Sequence, residues 1–516
     1  MTILIIFICP LQNMLNTIPS SSENTKFENI VNTLKEHIFN AKMVDIFEIT
    51  FAYDTKEGKS FNRTLFTDFA GLSVKNSKEE LFTRTNQLLH IKKNYIQQSR
   101  NDLLKLSKLE GKSEILLGTL DYIEKIIDLT ILGLPFEIEK IGYPLPLSPQ
   151  EVEEKTWKME TIERDLFGGN IRENPLELVN CYRSLKAKID KKLPTMTDDK
   201  KQICDKLLTS IKQSPAFIDI EGIFKNRQKD TRTMNYKKMF EDNQTLFEKK
   251  INRENYIRIF ELVLAMYGIN KPVEIDERSS IYDGDDALYI PSSKEYNTLS
   301  IQKILKLIQH EIERHMLSLE NNEGNVGGFR GGYNLFMEEG SAMIMEGTLE
   351  GKGLSEYGGT SVSLPNLLAG EILPGDEYKK FLSIFSKKDV EMERKKRLYP
   401  QHYRGVQHKD TVYTRGPKAV IEYITQGGNP KDLYIGRLQA KDIAKVSEKK
   451  NIRYPQLVSE VIIQKLINKH INDSEFKNFI AGKYNFIAED IIKDKMNDFT
   501  SEQKKKLIEI LNIIKK

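Results

Sequence analysis

Two histidines and two acids crowd into His310-Glu311-Ile312-Glu313-Arg314-His315, and a carboxylate pair, Glu338-Glu339, follows directly before Gly340. With seven histidines and 74 acidic residues in 516, a His-acid-x-x-x-His arrangement arises by chance roughly 0.01 times in such a chain. Two neutral imidazoles and one carboxylate suit a borderline-soft divalent ion, zinc above others, and three protein ligands leave a fourth position for water. That open position distinguishes a catalytic site from a structural one. Zinc lowers the pKa of its water from about 16 to about 7, and a carboxylate beside the first ligand can take and return the proton. Glu311 occupies that place in the chain.

The spacing raises a geometric difficulty. Zinc-protease histidines four residues apart lie about 40° from one another around an α-helix, whereas positions i and i+5 lie about 140° apart. A π-bulge adds one residue to a turn and brings i and i+5 back together. The spacing therefore predicts a widened turn around Ile312 to Arg314. The alternative is an ordinary amphipathic helix with its histidines on different faces and Glu313 a solvated carboxylate.

Four blocks together resemble the microtubule-associated tyrosine carboxypeptidase family and its bacterial relatives, named for a Gln-Glu-Gly-Leu-Ala motif. They are the strand-like Asp286-Ala287-Leu288-Tyr289-Ile290-Pro291, the His310 to His315 segment, Glu338-Glu339-Gly340-Ser341-Ala342, and a later stretch. The last runs through Arg404-Gly405, Lys409-Asp410-Thr411-Val412-Tyr413-Thr414-Arg415-Gly416, Gly427-Gly428-Asn429-Pro430 and Tyr434-Ile435-Gly436. The likeness spans Pro272 to Leu438 and fades outside it. It implies that His310, His315 and Glu339 ligate one zinc ion and that Glu311 is the catalytic base. Glu339 is preferred to Glu338 because the family keeps the acid directly before Gly. Ser341 stands where the relatives have Leu, a change expected to affect packing only. The glycines at 324, 327, 328, 331 and 332 replace a longer, stiffer insert and leave the substrate open.

A peptidase also needs groups for the oxyanion, and a carboxypeptidase needs a cation for the terminal carboxylate. Tyr413 is the candidate for transition-state contact, and Arg404, Lys409 and Arg415 are the candidates for substrate binding. His402 and His408 read as surface residues. Glu346 falls on roughly the same helical face as Glu339, where it either supports a ligand histidine or is simply solvated.

The remainder of the chain must position these groups. At 39% hydrophobic residues it can bury a substantial core, and a net charge of +4 provides no field that would recruit nucleic acid or an anionic membrane. Three scattered cysteines, Cys9, Cys181 and Cys204, argue against a disulfide framework and for a reducing, cytoplasmic setting. The apolar run Ile3 to Cys9 lacks a preceding basic residue. Residues 1–25 thus read as a disordered or leader segment, with export the alternative. No apolar stretch is long enough for stable membrane insertion.

Residues 26–250 read as a helical N-terminal region, with periodic apolar positions in Ile30 to Ile46, Leu81 to Ile96, Ile115 to Leu132 and Leu176 to Ile189. Gly133-Leu134-Pro135 and Gly142 to Pro146 are expected to interrupt it. Ser148-Pro149-Gln150-Glu151 reads as a helix start, and Lys225 to Asp242 as a linker. Residues 251–516 form the catalytic region. Its helix from Arg253 to Tyr267 closes at Gly268. A hairpin of Val273 to Glu277 and Ala287 to Ile290, turning at Asp283 to Asp286, then leads into the metal helix. As an edge strand it would bind an extended peptide by strand addition. Met337, Met343 and Met345 read as core, and Ser501 to Lys516 as a basic amphipathic helix packed on the domain.

The fold expected is α+β and predominantly helical: a zincin-like metallopeptidase core, a small antiparallel sheet and the helical N-terminal region. The function expected is a zinc-dependent peptidase in which zinc-bound water is activated by Glu311. The resemblance implies a carboxypeptidase acting on a peptide or protein C-terminus, tyrosine in the best-known branch. A zinc hydrolase of another amide or ester, or a non-catalytic helical regulatory protein, are the alternatives. Oligomeric state is not readable from the residues.

Overall fold

The computed structural model describes residues 21–38, 69–72, 75–106, 111–140, 147–168, 171–217, 241–276, 281–283, 287–325, 335–348, 363–385, 411–436, 438–443, 445–446, 452–456, 458–467 and 499–515. The linker expected at Lys225 to Asp242 falls almost wholly outside them, as do the apolar run Ile3 to Cys9, the Gly142 to Pro146 interruption and most of the glycine-rich segment.

The described chain is mostly helical. The N-terminal region supplies α1 (Ser21–His37), α2 (Lys78–Leu104), α3 (Lys112–Lys140), α4 (Pro149–Phe167), α5 (Pro175–Lys192) and α6 (Asp198–Lys212). Helix α4 begins with the expected signal: Ser148 N–H donates to Glu151 Oε2 at 2.7 Å, Glu151 N–H donates to Ser148 Oγ at 3.3 Å, and Pro149 takes the first helical position. The expected break at Gly133-Leu134-Pro135 does not occur, and α3 continues to Lys140 with Pro135 inside it. Leu134, Phe136 and Ile138 are all buried there, so tertiary packing outweighs a local penalty of about 3 kcal/mol.

The second region begins with β1 (Lys250–Asn252) and α7 (Arg253–Met266). Gly268, at φ 66°, ends α7 as expected, with Ile269 N–H donating to Leu264 O at 3.0 Å and Gly268 N–H to Ala265 O at 3.2 Å. Strands β2 (Val273–Asp276), β3 (Tyr282–Asp283), β4 (Leu288–Pro291) and β5 (Thr298–Ser300) follow. They form two small sheets, the antiparallel pair β1-β5 and a three-stranded sheet ordered β2-β4-β3.

The second sheet corrects the expected hairpin. Strands β2 and β4 run parallel, Val273 opposite Leu288 and Ile275 opposite Ile290, and the antiparallel partner of β4 is the two-residue β3. A strand that short carries no alternation to read, so the more visible run at Val273 takes its place in a hairpin inferred from pattern alone. Strand β4 is therefore central, and the strand directly preceding the histidine-bearing helix is β5. Among the described strands, the sheet edge nearest that helix belongs to β3, which packs against it.

A single helical rod, α8, then runs through Ile301–Leu307, Ile308–Met316 and Leu317–Asn325. Beyond it come α9 (Leu335–Thr348), α10 (Ser363–Ile372), α11 (Gly375–Phe385), α12 (Val412–Thr425), α13 (Val458–Ile467) and α14 (Ser501–Lys515). One apolar core joins α1, α2 and α3 to α7, α8, α9, α13 and α14, including the stripe Ile301, Ile304, Leu305, Ile308, Ile312 and Met316. A second core packs α5 and α6 against α10 and α11. The N-terminal helices thus buttress the second region along its length. Helix α14 buries Leu507, Ile510 and Ile514, and none of the described helices is long and apolar enough to cross a membrane.

A close crossing with α12 sets the position of α9. A Cβ built on Gly340 would fall 2.2 Å from the carbonyl carbon of Gly416 in α12, and one built on Gly416 would fall 2.5 Å from Phe336 O. Both clashes involve backbone, which has no rotamer through which to escape. We expect Gly416→Ala to destabilise the protein by about 2 kcal/mol or more, read as a lower denaturation midpoint in urea.

Candidate metal centre

The widened turn expected from the histidine spacing is present. Residues Ile308–Met316 form a π-helical segment inside α8, flanked by α-helical turns on both sides. His310 and His315 consequently lie on one face, with ring centroids 4.9 Å apart. Helix α9 brings Glu339 to the same point, where its Oε2 is 3.6 Å from His310 Nε2 and 3.8 Å from His315 Nε2. Each of these three residues offers a ligand atom, and the three atoms lie within 4.8 Å of one another. A tetrahedral ion with bonds of about 2.0–2.2 Å holds its ligand atoms about 3.3 Å apart, so modest side-chain rotation closes the cluster.

Outer partners orient the rings. His315 Nδ1 is 2.7 Å from Glu338 Oε1, and the tautomer that donates from Nδ1 leaves the Nε2 lone pair facing Glu339. His310 Nδ1 lies 3.2 Å from Glu346 Oε2, off the line of a hydrogen bond, and Lys306 Nζ is 3.9 Å from the other Glu346 oxygen. Of the two roles weighed for Glu346, the contact with a histidine is the one observed. Glu338, the lesser of the two ligand candidates by sequence, has a role of its own. Neighbouring residues on a helix diverge by about 100°, so one acid of the pair faces the cluster while the other reaches the outer nitrogen of a histidine.

The charge balance of the cluster suits a cation. Glu339 Oε2 is buried and finds no hydrogen-bond donor among the described residues. Burial alone would lower the basicity of His310, yet Glu339, Glu346 and Glu311 outweigh it and hold its pKa well above the ordinary value. Burial also opposes ionisation of Glu346, but His310, Lys303 and Lys306 prevail and bring its pKa down to about 2. Four carboxylates, Glu311, Glu338, Glu339 and Glu346, therefore surround two imidazoles.

Further groups lock the turn itself. Arg314 is buried and donates to Ser341 Oγ and Ser318 Oγ, with its guanidinium 5.3 Å from the Tyr434 ring centroid. Ser341 Oγ also donates to Glu338 O at 2.9 Å. The substitution expected to alter packing alone thus ties α8 to α9 by hydrogen bonds. Glu313 is fully buried, not solvated, and accepts from Tyr267 and from the start of α13. Met337 and Met345 are core, as read from the sequence, whereas Met343 is only half-buried and lies outside it.

The proposed substrate groups fare differently. Arg404, Lys409, His402 and His408 lie outside the described residues. Tyr413 is half-buried and packs against the apolar cluster of Phe167 and Val412, as Leu166 and Phe336 also do. Arg415 is a correction: its Nε and Nη2 donate to the two oxygens of Glu177 at 3.1 and 2.7 Å, and Nη1 donates to Phe167 O at 2.8 Å. The fork that would have gripped a substrate carboxylate grips one from α5 instead. Nothing in the local sequence announces a partner so distant in the chain.

No protein-family model, no curated protein and no solved structure matches this chain.

Two outcomes are expected. If the cluster takes zinc, Glu338→Ala should weaken that binding by roughly 10–100-fold in competition with a chromophoric chelator, because His315 loses its orienting acceptor. The second concerns Glu371 beside Arg415. Its carboxylate oxygens are buried, and burial pushes its pKa up to about 8 against the opposing pull of Arg164, Arg172 and Arg415. The folded state then holds a proton that the unfolded chain releases above about pH 4.5, so this contribution to stability is lost as pH rises toward 8. Urea melts across that range should show a smaller decline for Glu371→Gln than for the wild type.

Proposed function

We propose that this chain is a zinc-dependent peptidase with a zincin-like core, and that His310, His315 and Glu339 hold one zinc ion. The observation that carries the reading is the convergence of those three side chains across a π-helical turn that an ordinary helix would not produce. Two imidazoles with one carboxylate match zinc better than the hard cations calcium and magnesium, which take oxygen ligands throughout. When bound, zinc would acidify water and polarise a substrate carbonyl.

The chain's own residues supply the rest. Glu311, next to His310 and largely buried, takes a proton from the attacking water and returns it to the leaving amine. Glu338 holds the His315 imidazole in the orientation that keeps the cluster assembled, and the charge of Glu346 lies beside His310. The edge of β3 beside the π-helical segment, unpaired among the described strands, would offer main-chain hydrogen bonds to an extended peptide without regard to its sequence.

Removal of a C-terminal residue, tyrosine in particular, rests on the sequence resemblance. With Arg415 committed to Glu177, the terminal carboxylate falls to Arg404 and Lys409, and transition-state contact to Tyr413.

Peptides with defined C-termini should lose single terminal residues when incubated with the zinc-loaded protein. Glu311→Gln should bind zinc normally yet lower the rate by about 10²–10⁴-fold, and chelation should abolish activity. Internal cleavage would make the protein an endopeptidase. A purified chain without zinc, whose stability ignores chelators, would point to a helical regulator. Zinc binding with ester or non-peptide amide hydrolysis alone would point to another hydrolase.

A further inference from the structure

We propose that Glu313 is a positioning residue: it locks the π-helical turn in the register that lets His310 and His315 meet a metal, and it does so before any ion arrives. The inference rests on the metal-site reading above and concerns a residue that touches no ligand atom in that site.

Glu313 lies between the two histidines in the chain but faces away from Glu339, toward α7 and α13. Its side chain is fully buried. Its Oε1 accepts from Tyr267 Oη at 2.6 Å and from Val458 N–H at 2.6 Å, and its Oε2 accepts from Ser459 Oγ at 3.1 Å. Tyr267 is itself fixed, since its Oη accepts from Gln456 N–H at 2.8 Å. Val458 and Ser459 open helix α13, where unsatisfied N–H groups and the helix dipole favour an anion.

This arrangement makes the register costly to change. A carboxylate out of water is tolerated only where donors replace its hydration, and these three donors come from two elements that α8 does not control. If the turn relaxed to ordinary α-helix, each residue beyond the bulge would swing by about 100°. Glu313 would leave its donors, the start of α13 would lose its acceptor, and the histidines would part. An extra residue in a helical turn has no local reason to persist, so the anchor on the far face supplies one. The two faces of the turn are thus coupled: Glu313 gripping α7 and α13 is what presents both imidazoles to Glu339.

The test uses the full chain with zinc and with cobalt as its spectroscopic substitute, and three variants. Glu313→Gln keeps the size but loses the charge, Tyr267→Phe removes one donor, and Leu207→Ala weakens the distant second core. Glu313→Gln should bind zinc about 10–100-fold more weakly in chelator competition and alter the visible cobalt band. Tyr267→Phe should shift both readouts in the same direction by less. Leu207→Ala should melt earlier while keeping wild-type zinc affinity and cobalt spectrum. Wild-type affinity and spectrum in both folded Glu313→Gln and Tyr267→Phe would overturn the proposal, and so would a Leu207→Ala loss as large as theirs. If Glu313→Gln does not fold, Tyr267→Phe alone decides the matter: a weakened affinity upholds the proposal and a wild-type affinity overturns it. Failure of the wild type to bind either metal would instead sink the metal-site reading, a result distinct from unchanged binding in the variants.

Discussion

Everything at the candidate centre depends on one wide turn of helix. Histidines at i and i+5 oppose one another poorly on an α-helix, and only the π-helical stretch Ile308–Met316 sets them side by side. That conformation is rare in helices, so its persistence is ascribed to tertiary contacts. The side chains show where those contacts are. Ile308, Ile312 and Met316 point into the main core, Arg314 reaches Ser318 and Ser341, and Glu313 reaches Tyr267 and the start of α13. Nearly every residue of the turn is committed to packing, to a buried polar bond or to the histidine cluster.

The second half of the cluster is positioned by close backbone approach. Gly340 follows Glu339 directly, and its contact with Gly416 lets α9 and α12 lie closer than any side chain would permit. Arg415, adjacent to that contact, is held by Glu177 of α5 and by the carbonyl ending α4. A line of contacts therefore runs from the N-terminal helices, through Arg415 and the glycine crossing, to the carboxylates Glu338 and Glu339. A region in which the sequence displays no chemistry still bears on the geometry of the site.

What is legible in the residues, and what is not, divides along the range of the interactions. The helix start at Ser148, the left-handed cap at Gly268 and the widened turn itself all follow from residues within one or two turns of each other, where spacing translates directly into angle. Pro135 misleads because its local cost is outweighed by burial on both sides of it. Strand β3 escapes notice because two residues have no periodicity, and with it goes the parallel pairing of β2 and β4. The roles of Glu338, Glu313 and Arg415 are unreadable for a different reason: each is defined by a partner far away in sequence, and a carboxylate or guanidinium looks the same whether it faces water, an ion or a buried donor.

The cluster also constrains what can occupy it. Four acidic side chains gather around two imidazoles, in a place where Glu339 Oε2 finds no donor among the described residues, and the ionised forms of Glu339 and Glu346 are favoured there, so negative charge collects in low-dielectric surroundings. One remedy is protonation of both histidines, which would remove the lone pairs that make them ligands. The other is a divalent cation, which neutralises the acids while keeping the imidazoles neutral and coordinated. The two remedies compete for the same lone pairs. With Glu338 on the outer nitrogen of His315 and Glu346 beside that of His310, Nε2 is the atom over which proton and metal would contend, so binding of an ion there would release protons and weaken as acidity rises. That linkage would follow from the arrangement of acids around the rings, whatever use an ion there had.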